Sequence, residues 1–143
     1  MSLRTRIFTS SAPPAVIVVR VLVAAVFISE GLQKFLFPGA LGVGRFVKIG
    51  IPWPDVTAPF VGVVEIACGV LVAVGLLTRV AAIPLIIDML VAIATTKLPM
   101  LRDKGFWAMA HEARTDWSML LGSLFLIAAG SGRASVDARI VPR

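Results

Sequence analysis

The sequence predicts an all-α integral membrane protein, a four-helix bundle with antiparallel, up-down topology. Of its 143 residues, 58% are hydrophobic and only 15% are charged, and the mean hydropathy is +0.94. A soluble domain of this length cannot bury so much apolar surface, so lipid is the expected solvent. Four apolar segments, separated by prolines, glycines and charged residues, give the expected number of helices.

The first apolar segment, residues 15–37, follows Pro13 and Pro14 and stops at Pro38. Proline is common at the start of a helix and just beyond its end. The segment is longer than the apolar region of a signal peptide, so we expect a retained spanning helix. Arg20 lies near its start, where the side chain is expected to reach the lipid headgroups or otherwise to pair across the bundle near Arg79.

The other three predicted helices cover residues 58–77, 79–96 and 113–130. The second and third are joined by a tight turn near Thr78 and Arg79, which makes them antiparallel. Lys97 and Pro99 are expected to end the third helix. The whole chain, residues 1–143, is then a single membrane domain.

Two long loops, residues 38–57 and 97–115, emerge on the same side of this arrangement. Each holds a tryptophan, which is typical of a membrane–water interface. Lysines and arginines divide six to six between the two sides, so their number does not decide the orientation. Arg4, Arg6 and Arg79 lie close to helix ends and favour both termini in the cytoplasm, in a multi-pass protein of the inner (plasma) membrane.

Composition also excludes several classes of function. The net charge of +6 suits anionic lipid headgroups, and no motif for nucleic-acid binding is present. Cys68 is the single cysteine, so neither an intrachain disulfide nor a CxxC redox pair can form. His111 is the single histidine, and with scattered acids it does not make a zinc site, so we predict no metal.

Five charged residues lie within the apolar segments and are the predicted pocket and proton-exchange residues: Glu30, Lys34, Glu65, Asp88 and Asp116. At a rise of about 1.5 Å per residue, Glu30, Glu65 and Asp88 lie roughly 10–12 Å deep on the side of the long loops. Lys34 lies one turn above Glu30 on the same face, and Asp116 lies at the mouth of the fourth helix. Charges at such depth are costly and usually face the interior of a bundle, where they serve a site.

A purely structural interpretation of these charges also exists. Lys34 lies one turn from Glu30 and can pair with it, and Asp116 can complement a helix dipole. Four acids against one lysine still leave an excess of three negative charges in one leaflet. That excess requires bound protons, basic residues folding in from the loops, or a bound cation, and each of these makes a site.

Two stretches of sequence carry a recognisable pattern. Residues 27–35 read FISEGLQKF, and residues 64–82 read VEIACGVLVAVGLLTRVAA. A G-x-x-K ending the first helix, followed by E-x-x-x-G-x-x-x-x-x-G-x-x-T-R, resembles the DoxX family of small four-helix membrane proteins. The resemblance extends over about residues 20–129 and implies these family positions: Gly31, Lys34, Glu65, Gly69, Gly75, Thr78 and Arg79. Many members have histidine where this chain has Glu30, so a role of that histidine does not carry over.

The resemblance implies a redox function, because the family is named for a subunit linked to thiosulfate:quinone oxidoreduction. We expect a membrane subunit whose pocket binds a quinone, with Glu30, Glu65 and Asp88 exchanging protons and Lys34 tuning them. The electron-carrying cofactor is expected in a soluble redox enzyme, because the chain has no cysteine cluster, haem pair or flavin signature. Assembly as a homo-oligomer is also open.

Two other functions stay open at this point. One is a small proton-coupled transporter or permease, in which the same acids form a relay. The other is a structural membrane anchor for a soluble oxidoreductase, in which the acids only hold the helices together.

Overall fold

The computed structural model describes residues 11–140, and this part of the chain is all-helical, without a strand. In chain order the elements are α1 (Val16–Leu36), α2 (Val43–Lys48), α3 (Pro54–Val74), α4 (Thr78–Ala92), a π-helical turn (Ile93–Lys97), α5 (Leu98–Lys104), α6 (Phe106–Glu112), α7 (Arg114–Ala129) and α8 (Asp137–Ile140). From α4 through the π-helical turn to α5 the chain stays helical without a break.

Three helical segments are long and apolar enough to cross a membrane, and they are Val16–Leu36, Pro54–Val74 and Thr78–Lys104. α7 is shorter, with 16 residues, whereas about 20 are needed to span the hydrocarbon core upright. Large apolar side chains such as Val18 and Ile83 are exposed on the outer faces of the helices. Such faces are expected where lipid replaces water as the solvent.

α3 begins and ends at residues with positive φ. Trp53 has a φ of 49° and is followed by Pro54 at the first position of the helix, where a missing N–H is not needed. Gly75 has a φ of 72° and ends α3, and Leu77, with a φ of 51°, precedes α4. The tight turn predicted near Thr78 therefore lies just before that residue, which begins α4.

The prediction that the third helix ends at residue 96 is wrong. Helical structure continues through the π-helical turn to Lys104. Pro99, which was expected to stop the helix, lies in the first turn of α5, where a proline can be accommodated. The turn before this proline is π-helical and therefore wider than an α-helical turn, and the chain stays helical through it.

Two threonine hydroxyls stabilise that wider turn. Thr95 Oγ1 donates to the carbonyl of Val91 at 2.8 Å, and Thr96 Oγ1 donates to the carbonyl of Ala92 at 2.6 Å. Such bonds from threonine to the preceding turn are known to bend helices, and π-helical turns occur frequently at functional sites.

α1 packs most extensively against α3, and glycines allow the two helices to approach closely. A Cβ atom on Gly31 would lie 2.7 Å from the carbonyl oxygen of Gly62, and one on Gly69 would lie 2.7 Å from a side chain of α1. Only hydrogen fits at such distances, as in other close contacts between membrane helices. This contact brings Lys34 on α1 to the face of α3 that carries Glu65.

α4 packs against α7 and α3, and α1 also contacts α7. The apolar core between these helices contains Val23, Val72, Leu85 and Leu126, all of which are fully buried. Along each helix these residues lie farther from the long loops than the predicted pocket residues do. The core therefore separates the pocket region from the opposite end of the helices.

Arg20 does not reach the lipid headgroups, and that prediction is wrong. The residue is 2% exposed. Its guanidinium donates to the carbonyls of Val72 and Ala73 at 2.9 and 2.6 Å, and to those of Ser131 and Ala134 at 3.1 and 2.6 Å. Carbonyls at a helix C-terminus have no partner within the helix, and a guanidinium has five donors to supply. Arg20 thus joins α1, the end of α3 and the C-terminal segment.

Asp137 is a second buried charge at this end of the molecule, with 1% exposure. Its carboxylate accepts hydrogen bonds from the N–H of Leu77 at 2.8 Å and of Thr78 at 3.4 Å, and it interacts electrostatically with Arg20. A carboxylate at this position supplies the cap that no residue at the start of α4 provides itself.

Candidate functional site

A cavity of about 570 Å³ lies between α1, α3, α4, the π-helical turn and α7. The five charged residues predicted for the pocket all line this cavity: Glu30, Lys34, Glu65, Asp88 and Asp116. They come from four different helices, so only the tertiary packing brings them together. Their matched depth in the sequence corresponds to a common location in the structure.

The ion pair between Lys34 and Glu65 connects α1 with α3. Lys34 Nζ lies 2.6 Å from Glu65 Oε2, and the two side chains are 11% and 2% exposed. Lys34 therefore pairs with the acid on the neighbouring helix and not with Glu30 one turn earlier on its own helix. Because water has little access to this pair, removal of one partner would leave an uncompensated buried charge.

Asp88 on α4 extends this pair toward α7. Its side chain is within hydrogen-bonding reach of Glu65 and within electrostatic range of both Lys34 and Asp116. This arrangement brings two carboxyl groups together beside the ammonium group of Lys34.

A second ion pair, between Lys97 and Asp116, was not predicted. Lys97 Nζ lies 3.3 Å from Asp116 Oδ2, and the side chains are 10% and 17% exposed. From the sequence alone Lys97 is predicted to lie in a loop, because Pro99 is typical of a helix end. The signal for the buried position is the pair of threonines before it, whose hydroxyls can hold a widened turn.

Glu30 lies at the edge of the cavity, and its side chain is exposed. α2 packs against α3 and forms the wall on the side of the first long loop. From this short helix, Arg45 lines the cavity while remaining exposed, and Phe46 is buried beside it. The edge of the cavity therefore carries one acidic and one basic side chain, both of them exposed.

These contacts arrange five groups in a row that we call the charge row: Lys34, Glu65, Asp88, Asp116 and Lys97. An amine lies at each end and three carboxyl groups lie between them. The excess of negative charge expected from the sequence is reduced because Arg45 and Lys97 also line the cavity, which gives four acidic and three basic side chains. The sequence left three explanations open for the excess of three negative charges. In the structure, two basic residues, Arg45 and Lys97, offset two of these charges.

The remaining wall of the cavity is mainly apolar. It includes three aromatic rings and two flexible thioether side chains, those of Phe27, Phe46, Phe60, Met89 and Met119. A mainly apolar wall with a few convergent polar groups is the usual character of a small-molecule site. The site can therefore hold a flat, apolar ring whose polar atoms face the charge row.

The other family positions lie away from the cavity. Gly31 and Gly69 lie in the contact between α1 and α3. Gly75 and Thr78 lie at the turn that Asp137 caps, and a Cβ on Gly75 would lie 2.6 Å from Cζ of Arg20. The guanidinium of Arg79 donates to the carbonyl of Ala128 on α7 at 3.2 Å. These positions hold the helices in place, while Lys34 and Glu65 form the site.

The sequence is similar to a family model and to known membrane proteins. Residues 15–98, more than half of the chain, match the family model DoxX. The chain is 55% identical over 144 residues to the "Uncharacterized membrane protein Rv3486" of Mycobacterium tuberculosis (strain ATCC 25618 / H37Rv), an alignment that covers 96% of this chain and 88% of that protein.

A more distant relative is the "Putative oxidoreductase CatD" of Bacillus subtilis (strain 168). It is 31% identical over 124 residues, which cover 85% of this chain and 83% of that protein. No solved structure matches the chain significantly.

Proposed function

The chain belongs to the DoxX family, and from that premise we propose that it is a membrane subunit of a quinone-linked redox system. In this proposal the cavity binds the quinone headgroup. The observation that carries the proposal is the charge row, in which three carboxyl groups lie between two amines along the wall of a mainly apolar cavity. The name of CatD, which contains the word oxidoreductase, supports the same class of function.

Quinone reduction takes up two protons with two electrons, and the side chains of the cavity suit the proton part of this chemistry. Lys34 and Lys97 can donate hydrogen bonds to carbonyl oxygens. Glu65 and Asp88 can hold a shared proton close to Lys34. Glu30 at the exposed edge can exchange protons with water. The three acids thus lead from water to the interior of the cavity.

The electrons come from a partner in this proposal. The sequence has one cysteine and one histidine, too few for an iron–sulfur cluster or a bis-histidine haem. A soluble oxidoreductase with a reduced flavin or metal centre would dock at the membrane surface and deliver them. The chain would then supply the quinone site and the protons, and the partner would supply the electrons.

In the membrane we place four spans with antiparallel, up-down topology, α1, α3, α4 with its extension, and α7. α7 is short for a span, but α6 precedes it directly and can cover the remaining depth at the interface. Both termini then lie on one side, which we assign to the cytoplasm, and the cavity lies toward the other side of the plasma membrane.

A transporter is the second candidate, because acids in a membrane cavity can form a proton relay. The fully buried apolar core argues for the redox function instead. Val23, Leu85 and Leu126 close the space between the cavity and the opposite end of the helices. A permease needs a path on both sides of its site, whereas a quinone site needs access from one side only.

The test is to fill the cavity with a larger side chain. Ala92 lines the cavity, and Ala94, two residues later, is exposed and does not. We expect Ala92→Phe to weaken binding of 1,4-naphthoquinone on the order of tenfold or more, because the ring would occupy ligand space. Ala94→Phe is the matched control and should bind as wild type does. Binding is measured by titration calorimetry on protein in lipid nanodiscs, with thermal unfolding as a check of folding.

Two results would contradict the proposal. If folded Ala92→Phe binds the quinone as tightly as wild type, the ligand does not occupy this cavity. If the wild-type protein does not bind the quinone at all, the quinone-linked function is wrong and the anchor interpretation gains support.

A further inference from the structure

The two lysines of the charge row have hydrogen-bonding capacity that the protein does not use. Within residues 11–140, Lys34 has Glu65 as its ion-pair partner and Lys97 has Asp116. An ammonium group has three N–H donors, so each amine retains donors after its ion pair is made. Both side chains are about nine-tenths buried and both line the cavity. Each amine can therefore donate to a ligand in the cavity without giving up its ion pair.

The position of the two amines constrains such a ligand. Lys34 is on α1 and Lys97 is at the end of the π-helical turn, and the acids between them come from α3, α4 and α7. Asp88 interacts with the Lys34–Glu65 pair on one side and with Asp116 on the other. Each amine is paired with a different acid on different helices, so a ligand that binds both needs two acceptors, one for each amine.

The charge of the cavity constrains the ligand further. Four acidic and three basic side chains line it, so the two signs of charge are nearly balanced. A bound anion would face the carboxyl groups, and a bound cation would face the amines. A neutral molecule avoids both penalties.

We infer that Lys34 and Lys97 bind the two carbonyl oxygens of a neutral 1,4-dicarbonyl ring, one amine at each end of the row. The inference rests on the proposed function and specifies which chemical feature of the ligand the site recognises. Lys97, which lies outside the family motif, is then the specificity-determining residue. It distinguishes a ring with two opposed carbonyls from a ring with one.

The experiment compares two probes of similar size, 1,4-naphthoquinone with two carbonyls and 1-tetralone with one. Binding of each is measured by titration calorimetry on the full chain in lipid nanodiscs. We expect wild type to bind the dicarbonyl probe on the order of tenfold more tightly, because the second carbonyl accepts from a buried amine. Lys97→Met, which has a similar length but no hydrogen-bond donor, should remove most of this preference while the single-carbonyl probe binds as before.

Lys97→Met leaves Asp116 without its partner, so a second variant, Lys97→Met with Asp116→Asn, removes both charges together. It should show the same loss of preference. Lys48→Met is the control, since Lys48 is exposed and does not line the cavity. It should keep the full preference.

The outcomes separate this inference from the proposed function. Equal affinity of wild type for the two probes, or a preference that persists in both Lys97 variants, would overturn the two-point recognition and leave the quinone site standing. No binding of either probe to wild type would overturn both.

Discussion

Lys34 of α1 and Glu65 of α3 form an ion pair next to the glycine contact between their helices, with Nζ 2.6 Å from Oε2. Gly31 lies one turn before Lys34, and Gly62 lies one turn before Glu65. A Cβ on Gly31 would come within 2.7 Å of the carbonyl of Gly62. The glycines let the helices approach, and this approach allows the two charges to meet in the interior.

We expect Lys34→Gln and Glu65→Gln each to lower the free energy of unfolding by about 3 kcal/mol, because each leaves a buried charge without its partner. The double variant should lose clearly less than the sum of the two, since no charge is then left unpaired. Unfolding of the purified protein in detergent, followed by circular dichroism, measures the three values.

Exposed residues of the same types provide the controls. Lys48→Gln and Glu112→Gln remove charges from α2 and α6, where both side chains are exposed, and they should leave the stability near that of wild type. Strictly additive losses in the double variant would show that Lys34 and Glu65 are not coupled.

Asp88→Asn should behave differently from Glu65→Gln. Asp88 has no ion pair of its own among residues 11–140, and its side chain faces two other acids, Glu65 and Asp116. Asparagine keeps the shape and the hydrogen bond to Glu65 but removes a like charge. We therefore expect a melting temperature no lower than that of wild type, together with loss of proton exchange at the site.

Melting temperatures of Asp88→Asn, wild type and the exposed control Asp103→Asn are compared in one detergent. A destabilisation as large as that of Glu65→Gln would mean that the Asp88 charge holds the helices together. Asp88 would then belong to the structural group of residues and not to the site.

The residues that sequence reasoning placed correctly are those whose position depends on one helix alone. Depth along a helix follows from the rise per residue, so the matched depth of Glu65 and Asp88 could be predicted from the sequence. Because a charged side chain in lipid is costly, both residues are also predicted to face inward. Glu30 is predicted to face inward for the same reason, but it lies at the edge of the cavity with its side chain exposed.

The remaining residues depend on contacts between distant parts of the chain. Arg20 lies near a helix end in sequence, yet its acceptors are carbonyls of residues more than 50 positions away. Asp137 lies in a polar segment that carries no helical periodicity, and its partners are backbone N–H groups of the turn before α4. Lys97 is predicted to lie in a loop because Pro99 is typical of a helix end. The widened turn that keeps the chain helical at this point is not evident from the sequence.

Gly31→Ala should destabilise the protein by about 1–3 kcal/mol, because the added methyl group would force α1 and α3 apart. Gly39→Ala is the matched control, since a Cβ there meets no atom within 4 Å. Thermal unfolding of both variants beside wild type gives the comparison. Equal melting temperatures for the two variants would mean that the helices tolerate a wider spacing.

Asp137→Asn should also lower stability, by about 1–2 kcal/mol, because the N–H groups of Leu77 and Thr78 lose a charged acceptor and Arg20 loses a nearby negative charge. The comparison is again with Asp103→Asn, which changes an exposed acid. Unchanged stability in Asp137→Asn would show that the anionic cap is not needed to hold the C-terminal segment.

The membrane arrangement can be tested by labelling single cysteines, introduced on a Cys68→Ser background. Lys48 and Asp103 are exposed on α2 and α5, beside the cavity, and Arg139 is exposed on α8 at the opposite end. With four spans, a membrane-impermeant maleimide applied to intact cells should label cysteines at positions 48 and 103 and should reach position 139 only after the membrane is opened. Labelling of all three from the same side would require an even number of spans between positions 103 and 139, which would contradict α7 as the single span between them.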